Sequence, residues 1–174
     1  MKRWNLNICS ELNNIKRPLL LAVAPHMSHS DVVIVPASLP RHLLPVRWLA
    51  DKKIFTNRVK SIWLKLWGAI PIERTVEGQI QSDDIEWIID FIQRGACVGV
   101  FPECCLVGGM FSTHHKTLVD AVMAENLSVC PVGLRGNVEE KAMKPMKKIK
   151  DRPQIIIGDL LSEPQELLDC WSML

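Results

Sequence analysis

The chain has 174 residues, of which 48% are apolar and 23% charged, and its formal net charge is +2. This length suits one domain that buries about two thirds of its unfolded surface, so we expect a single domain over residues 1–174 with 1–18 as a short lead-in. The small charge excess argues against a nucleic-acid-binding protein, for which a clustered basic face is expected.

The strongly apolar runs are too short for a membrane span, and the cysteine pattern predicts a reducing compartment. The longest strictly apolar run covers residues 19–24, far below the ~20 residues that a transmembrane helix needs. The cysteines stand at positions 9, 97, 104, 105, 130 and 170, with no C-x-x-C pair. Neither a zinc site nor a disulfide framework follows, so we expect a cytoplasmic protein, at most peripheral at the membrane face.

Short apolar runs alternate with helical patterns along the chain. Because such runs, bounded by turn residues, are typical of buried strands, strands are predicted near 19–24, 44–49, 69–73, 97–101, 128–132 and 154–158. Continuous apolar strands separated by helices indicate an α/β fold with a mostly parallel central sheet, covered by helices on both faces.

Three helices are predicted between these strands. The first begins at Asn57 and ends at Gly68, and its apolar positions share one face. The second begins with Ser82 as its cap and ends at Gly95. The third covers about residues 116–125.

His26 follows the first predicted strand, and Asp31 comes five residues later. Since ligands of parallel sheets bind beyond the carboxyl ends of the strands, His26 is well placed for chemistry. If a turn brings the Asp31 carboxylate back onto the imidazole, the pair becomes a general base with a fixed tautomer. The alternative is a structural histidine beside an aspartate that caps a following helix.

His26 and Asp31 are the first of four segments that occur in a fixed order. They match an H-x4-D pattern, and the later segments match G-x-I-x-I-x-R, the start of F-P-E-G-T-R-S, and V-P-V-x-x-x-G, at Gly68, Ile70, Ile72 and Arg74, then Phe101, Pro102 and Glu103, then Pro131, Val132 and Gly136. The series resembles the glycerol-phosphate and lysophosphatidic acid (1-acyl-glycerol-3-phosphate) acyltransferase family, from about residue 19 to about residue 164.

The resemblance implies an O-acyltransferase of phospholipid biosynthesis. It would move a fatty acyl group from acyl-CoA or acyl-carrier protein, as co-substrate and without a cofactor or metal, to the hydroxyl of a lysophospholipid such as 1-acyl-glycerol-3-phosphate. Members often carry an N-terminal helical membrane segment, and we expect this chain, which shows none, to hold a bilayer more weakly.

The resemblance also assigns roles to individual residues. His26 would be the general base and Asp31 would orient it. Arg74 would bind the acceptor phosphate, and the alternative is a surface ion pair with Glu73 or Glu77. Glu103 would bind hydroxyls or anchor its loop, and Gly68 and Pro131 complete the substrate-binding motifs.

The third motif departs from the family. Cys104, Cys105 and Leu106 stand where glycine, threonine and arginine are expected, which removes one phosphate ligand. Lys116 or Arg135 could replace that charge. Two alternatives follow, a catalytically silent lipid-binding relative and a thioester hydrolase with a cysteine nucleophile beside His26.

Tryptophan usage leaves a membrane contact open. The chain has 6 tryptophans and no tyrosine, and Trp48, Trp63 and Trp67 cluster around the first predicted helix. They fit core packing as well as they fit a membrane interface flanked by Lys60 and Lys65. The basic run 141–150 is either a solvated loop or a site for anionic headgroups.

Overall fold

The computed structural model describes residues 15–24, 26, 31–75, 79–101, 116–135 and 154–161. Within them the six predicted strands and the three predicted helices are present, and a further helix begins at Asp31. The strands are β1 (Leu19–Ala24), β2 (Val46–Asp51), β3 (Ile70–Ile72), β4 (Cys97–Val100), β5 (Ser128–Arg135) and β6 (Gln154–Ile157). The helices are α1 (Asp31–Ser38), α2 (Arg58–Leu66), α3 (Ser82–Gln93) and α4 (Lys116–Ala124), with short 3₁₀ turns at Arg41–Leu43 and Lys52–Phe55.

The strands form one sheet in the order β3-β2-β4-β1-β5-β6. All neighbouring pairs are parallel except β5 and β6, which are antiparallel. Every residue of β1 is buried, as its unbroken apolar sequence requires for a strand covered on both faces. The predicted α/β class with a mostly parallel sheet is confirmed.

Alternate residues of β1 pack into two separate cores, because successive strand side chains point to opposite faces. Leu19, Leu21 and Val23 share one core with Val35 of α1. The other residues of β1 pack on the opposite face against Ile88 of α3, and against α4. Helices therefore cover both faces of the sheet.

The helix boundaries follow the predicted signals, with small shifts. The Asn57 side chain accepts hydrogen bonds from the amides of Val59 and Lys60, at 3.0 and 3.2 Å. It thus caps α2, whose first helical residue is Arg58, one position after the predicted start. For α3 the cap position is Gln81, without a side-chain hydrogen bond, and Ser82 is the first helical residue. The predicted serine cap is wrong by one position.

The outer face of α2 is apolar and exposed, and the helix contains no buried residue. Trp63 and Trp67 are exposed, whereas Trp48 of β2 is buried in the core. The three tryptophans that cluster in sequence therefore have different environments. Among the described residues, no helix is both long and apolar enough to cross a membrane.

Candidate active site

His26 and Arg74 leave the sheet at the same edge. The strand registers place Ala24 of β1, Asp51 of β2 and Ile72 of β3 at one level, and His26 and Arg74 each follow two residues later. Strands β4 and β2 lie between them. Three steps of ~4.8 Å between strands separate the two backbone positions by about 14 Å. Both residues thus lie at the carboxyl edge, where ligands of parallel sheets bind.

His26 and Asp31 are in contact, with 3.1 Å between Nδ1 of the ring and Oδ2 of the carboxylate. Among the described residues, Asp31 is the one buried charged side chain. It is also the first residue of α1, where the helix dipole favours a negative charge. The two interpretations of Asp31 are therefore compatible, because it begins a helix and contacts the histidine.

This contact determines what the ring can do. An ionised carboxylate only accepts hydrogen bonds, so in a neutral His26 the hydrogen is on Nδ1, and this N–H donates a hydrogen bond to Asp31. Nε2 then holds the basic lone pair. A carboxylate in this position also stabilises the imidazolium that forms when the ring takes a second proton.

The His26 ring is the end of a stack of three aromatic rings. It lies 3.9 Å from the ring of Phe101, centroid to centroid, at an angle of 22°. The Phe101 ring lies 4.8 Å from that of Trp48 at 10°. Phe101 and Trp48 are both buried, so the stack joins the histidine to the core between β4 and β2.

Gly99 of β4 makes room for this stack. A Cβ at Gly99 would lie 2.6 Å from two ring carbons of Trp48, closer than packed carbons approach. The sequence does not predict this stack, since Trp48 clusters there with the tryptophans of α2. A glycine inside a buried strand was the available signal, because it marks a close approach of another group.

Arg74 lines a cleft of about 370 Å³ at the ends of β2 and β3, formed by Asp51, Lys52, Lys53, Thr56, Glu73 and Arg74. Its Nε lies 3.8 Å from Oδ2 of Asp51, and its side chain is 11% exposed. Glu73, a predicted alternative partner, instead pairs with Lys52 and raises the pKa of that lysine. Glu77 lies outside the described residues. The cleft therefore carries three cations and two carboxylates.

Two other predicted site residues are away from this edge. Gly68 is buried just before β3, with a φ of +81° that favours glycine, and its carbonyl accepts a hydrogen bond from Trp48. Pro131 is buried in β5 opposite Ala22, four residues or about 13 Å of strand before His26. Their positions give both residues a role in packing, and do not bring them together with His26.

The remaining predicted groups fall outside the described residues. These are Glu103, the substituted positions 104–106, and the basic run 141–150. Phe101, two residues before Glu103, is the last described residue of the third motif. The backbone of Arg135, however, is described, and it lies at the end of β5.

A comparison with protein-family models gives one assignment, the model named Acyltransferase, which matches residues 8–135. The chain belongs to the acyltransferase family. The matched range includes His26, Asp31, Arg74 and Glu103. The predicted family and enzyme class, an acyltransferase, are thereby confirmed.

The fold is similar to that of a solved acyltransferase. The crystal structure of the 1-acyl-sn-glycerophosphate (LPA) acyltransferase PlsC from Thermotoga maritima aligns with a TM-score of 0.67 at 14% sequence identity. The alignment covers 98% of this chain and 70% of that one. A search of curated proteins found no match.

Proposed function

We propose that this acyltransferase moves a fatty acyl group from a thioester, acyl-CoA or acyl-carrier protein, to the hydroxyl of a lysophospholipid such as 1-acyl-glycerol-3-phosphate. The observation that carries the proposal is the His26–Asp31 contact of 3.1 Å at the carboxyl edge of an acyltransferase-family sheet. The fold similarity to PlsC, whose described substrate is 1-acyl-sn-glycerophosphate, supports this acceptor class.

In the proposed reaction, His26 first acts as general base. An alcohol is a weak nucleophile, and Nε2 accepts its proton as the oxygen attacks the thioester carbonyl. The C–O bond forms, the C–S bond breaks, and the departing thiolate takes the alcohol's proton from the imidazolium to leave as a thiol. Asp31 stabilises the imidazolium between these steps.

The acceptor would lie across the ends of β4 and β2, with its hydroxyl at His26 and its phosphate toward Arg74. A guanidinium offers paired donors that match phosphate oxygens. Lys52 and Lys53 line the same cleft and add positive charge. Because Asp51 and Glu73 balance part of that charge, the cleft would accept one phosphate group rather than a highly charged ligand.

The decisive experiment measures thiol release from acyl-CoA by the purified protein, with and without 1-acyl-glycerol-3-phosphate, together with the acylated lipid by mass spectrometry. We expect release that depends on acceptor and equals the product formed. Release without acceptor would instead indicate a thioester hydrolase. Binding of lysolipid without release from either donor would indicate a silent lipid-binding relative.

A further inference from the structure

Among the described residues, the exposed apolar side of α2 is a surface feature that the candidate site does not explain. We define the α2 face as six side chains that are each between 46% and 71% exposed, namely Ile54, Val59, Ile62, Trp63, Leu66 and Trp67. Five of them follow helical spacing and therefore form one continuous stripe. Monomeric proteins rarely leave a contiguous apolar surface of this kind without a binding role.

The helix contacts the protein with its opposite side. At 3.6 residues per turn, Ser61 and Leu64 point roughly away from Trp63 and Leu66. Ser61 and Leu64 are half-buried, whereas the stripe is exposed. The helix thus buries the side with fewer apolar residues and exposes the side with more. A helix that packs its apolar stripe on its own core does the reverse.

Basic residues flank the stripe on both sides. On the helix, Arg58 and Lys65 lie along one edge and Lys60 lies along the other. The sequence of α2 contains no aspartate or glutamate. An apolar stripe between two cationic borders, with tryptophan at its centre, suits a helix lying in the plane of an anionic membrane surface.

The α2 face also adjoins the candidate site. The 3₁₀ turn Lys52–Phe55 leads from β2 into α2. Ile54 of this turn belongs to the α2 face, while its neighbours Lys52 and Lys53 line the Arg74 cleft. A surface bound at the α2 face would therefore present its headgroups next to Arg74.

We propose that the α2 face docks on a membrane leaflet that contains anionic phospholipid, with Trp63, Leu66 and Trp67 at the boundary between headgroups and acyl chains. An anionic membrane is the proposed partner because the basic residues on both sides of the stripe complement anionic headgroups. Its link to acyl transfer rests on the proposed function, because the acceptor would then be taken from the membrane rather than from solution.

The test is sedimentation of the full chain with large vesicles of phosphatidylcholine alone and of phosphatidylcholine with phosphatidylglycerol. We expect wild type to bind the anionic vesicles. The double variant Trp63→Glu/Leu66→Glu should reduce partitioning about tenfold or more, because both side chains lose apolar burial. Lys60→Glu/Lys65→Glu should weaken binding only to anionic vesicles, by at least about fivefold for each replaced lysine.

Trp87→Glu is the matched control. Trp87 is 45% exposed on α3, so its replacement removes a similar side chain from another surface and should leave vesicle binding unchanged. Equal loss with Trp87→Glu, or full binding by Trp63→Glu/Leu66→Glu, would overturn the proposal. So would a wild-type dimer in light scattering that the same double variant converts to monomer, since a second copy would then cover the face.

Activity measurements distinguish a failure of the docking proposal from a failure of the proposed function. The Trp63→Glu/Leu66→Glu variant should keep wild-type turnover with a short-chain, monomeric acceptor, and lose it only with acceptor embedded in vesicles. Vesicle binding without any acyl transfer would contradict the proposed function alone. Equal turnover of wild type and variant on embedded acceptor would contradict the docking proposal alone.

Discussion

The spacing of His26 and Asp31 predicts the centre of the candidate site, and the burial of Asp31 gives a physical reason for the contact between them. A carboxylate is costly to bury without a partner, and Asp31 is buried beside His26. The sequence supplies the five-residue spacing, but only the start of α1 at Asp31 explains how the chain returns to the ring. A contact between a strand exit and a helix start thus satisfies the carboxylate and orients the imidazole.

Removing the imidazole should stop catalysis. His26→Ala is expected to lower acceptor-dependent thiol release about 10²–10⁴-fold, the usual worth of a general base, and Asp31→Asn should lower it strongly because it loses imidazolium stabilisation. His42→Ala is the control, since the His42 ring hydrogen-bonds to the backbone carbonyl of Ile15, away from Asp31. Steady-state kinetics with folded variants checks this, and near-normal turnover of His26→Ala would refute the mechanism.

A second residue-scale prediction concerns Cys97. Burial raises its pKa from 9.0 to about 12, so at pH 8 its thiolate fraction is about a thousandfold below that of an exposed thiol. Iodoacetamide at pH 8 should leave Cys97 unmodified in native protein and label it in urea, as followed by peptide mass spectrometry. Because the unfolded thiol ionises first, the free energy of unfolding should also begin to fall above pH 9. Labelling of Cys97 in native protein at the rate measured in urea would contradict the prediction that burial suppresses its ionisation.

At the scale of elements, the sequence predicts which segments form and not what they pack against. The six strands appear close to their predicted positions because each is an apolar run ended by turn residues. The stripe of α2 is equally clear in the sequence, yet periodicity does not tell whether a core or another partner covers it. The aromatic stack is a similar case, since Trp48 and Phe101 meet only because β2 and β4 are neighbours.

The stack across β4 and β2 should position the His26 ring for its proposed role as general base. Phe101→Leu keeps an apolar side chain but loses the stacked face beside His26, so we expect kcat to fall about tenfold, the upper range for an aromatic pair. KM for the donor should change little, and Phe101→Tyr should restore kcat. Phe91→Leu, which breaks the stacked pair with Trp87 on α3, is the control. Equal losses in both leucine variants would indicate general destabilisation instead.

At the scale of the whole molecule, the sheet order sets the geometry of the proposed acceptor site. His26 and Arg74 are 48 residues apart in sequence. They reach the same edge of the sheet because they follow the parallel strands β1 and β3, which have β4 and β2 between them. The resemblance to a family predicts that they act together, whereas their separation depends on register and strand order. The β1–β5 register ends at the pair Ala24 and Gly133, and two further residues along each chain bring the backbones of His26 and Arg135 to the same level. Arg135 could there replace the arginine that the third motif lacks.

Arg74 should therefore carry much of the phosphate recognition. Arg74→Ala is expected to raise KM for 1-acyl-glycerol-3-phosphate about tenfold or more, because one hydrogen bond to a charged group is worth ~1.5–3 kcal/mol. KM for acyl-CoA should change little, since in the proposed reaction the donor thioester lies at His26 and not in the Arg74 cleft. Lys53→Ala, which removes a cation from the same cleft, tests whether positive charge alone suffices, and we expect a smaller effect because an ammonium lacks the paired donors of a guanidinium. Steady-state kinetics with each substrate varied in turn separates the two constants. Equal increases in both would mean that Arg74, through its contact with Asp51, supports the ends of β2 and β3 rather than the acceptor.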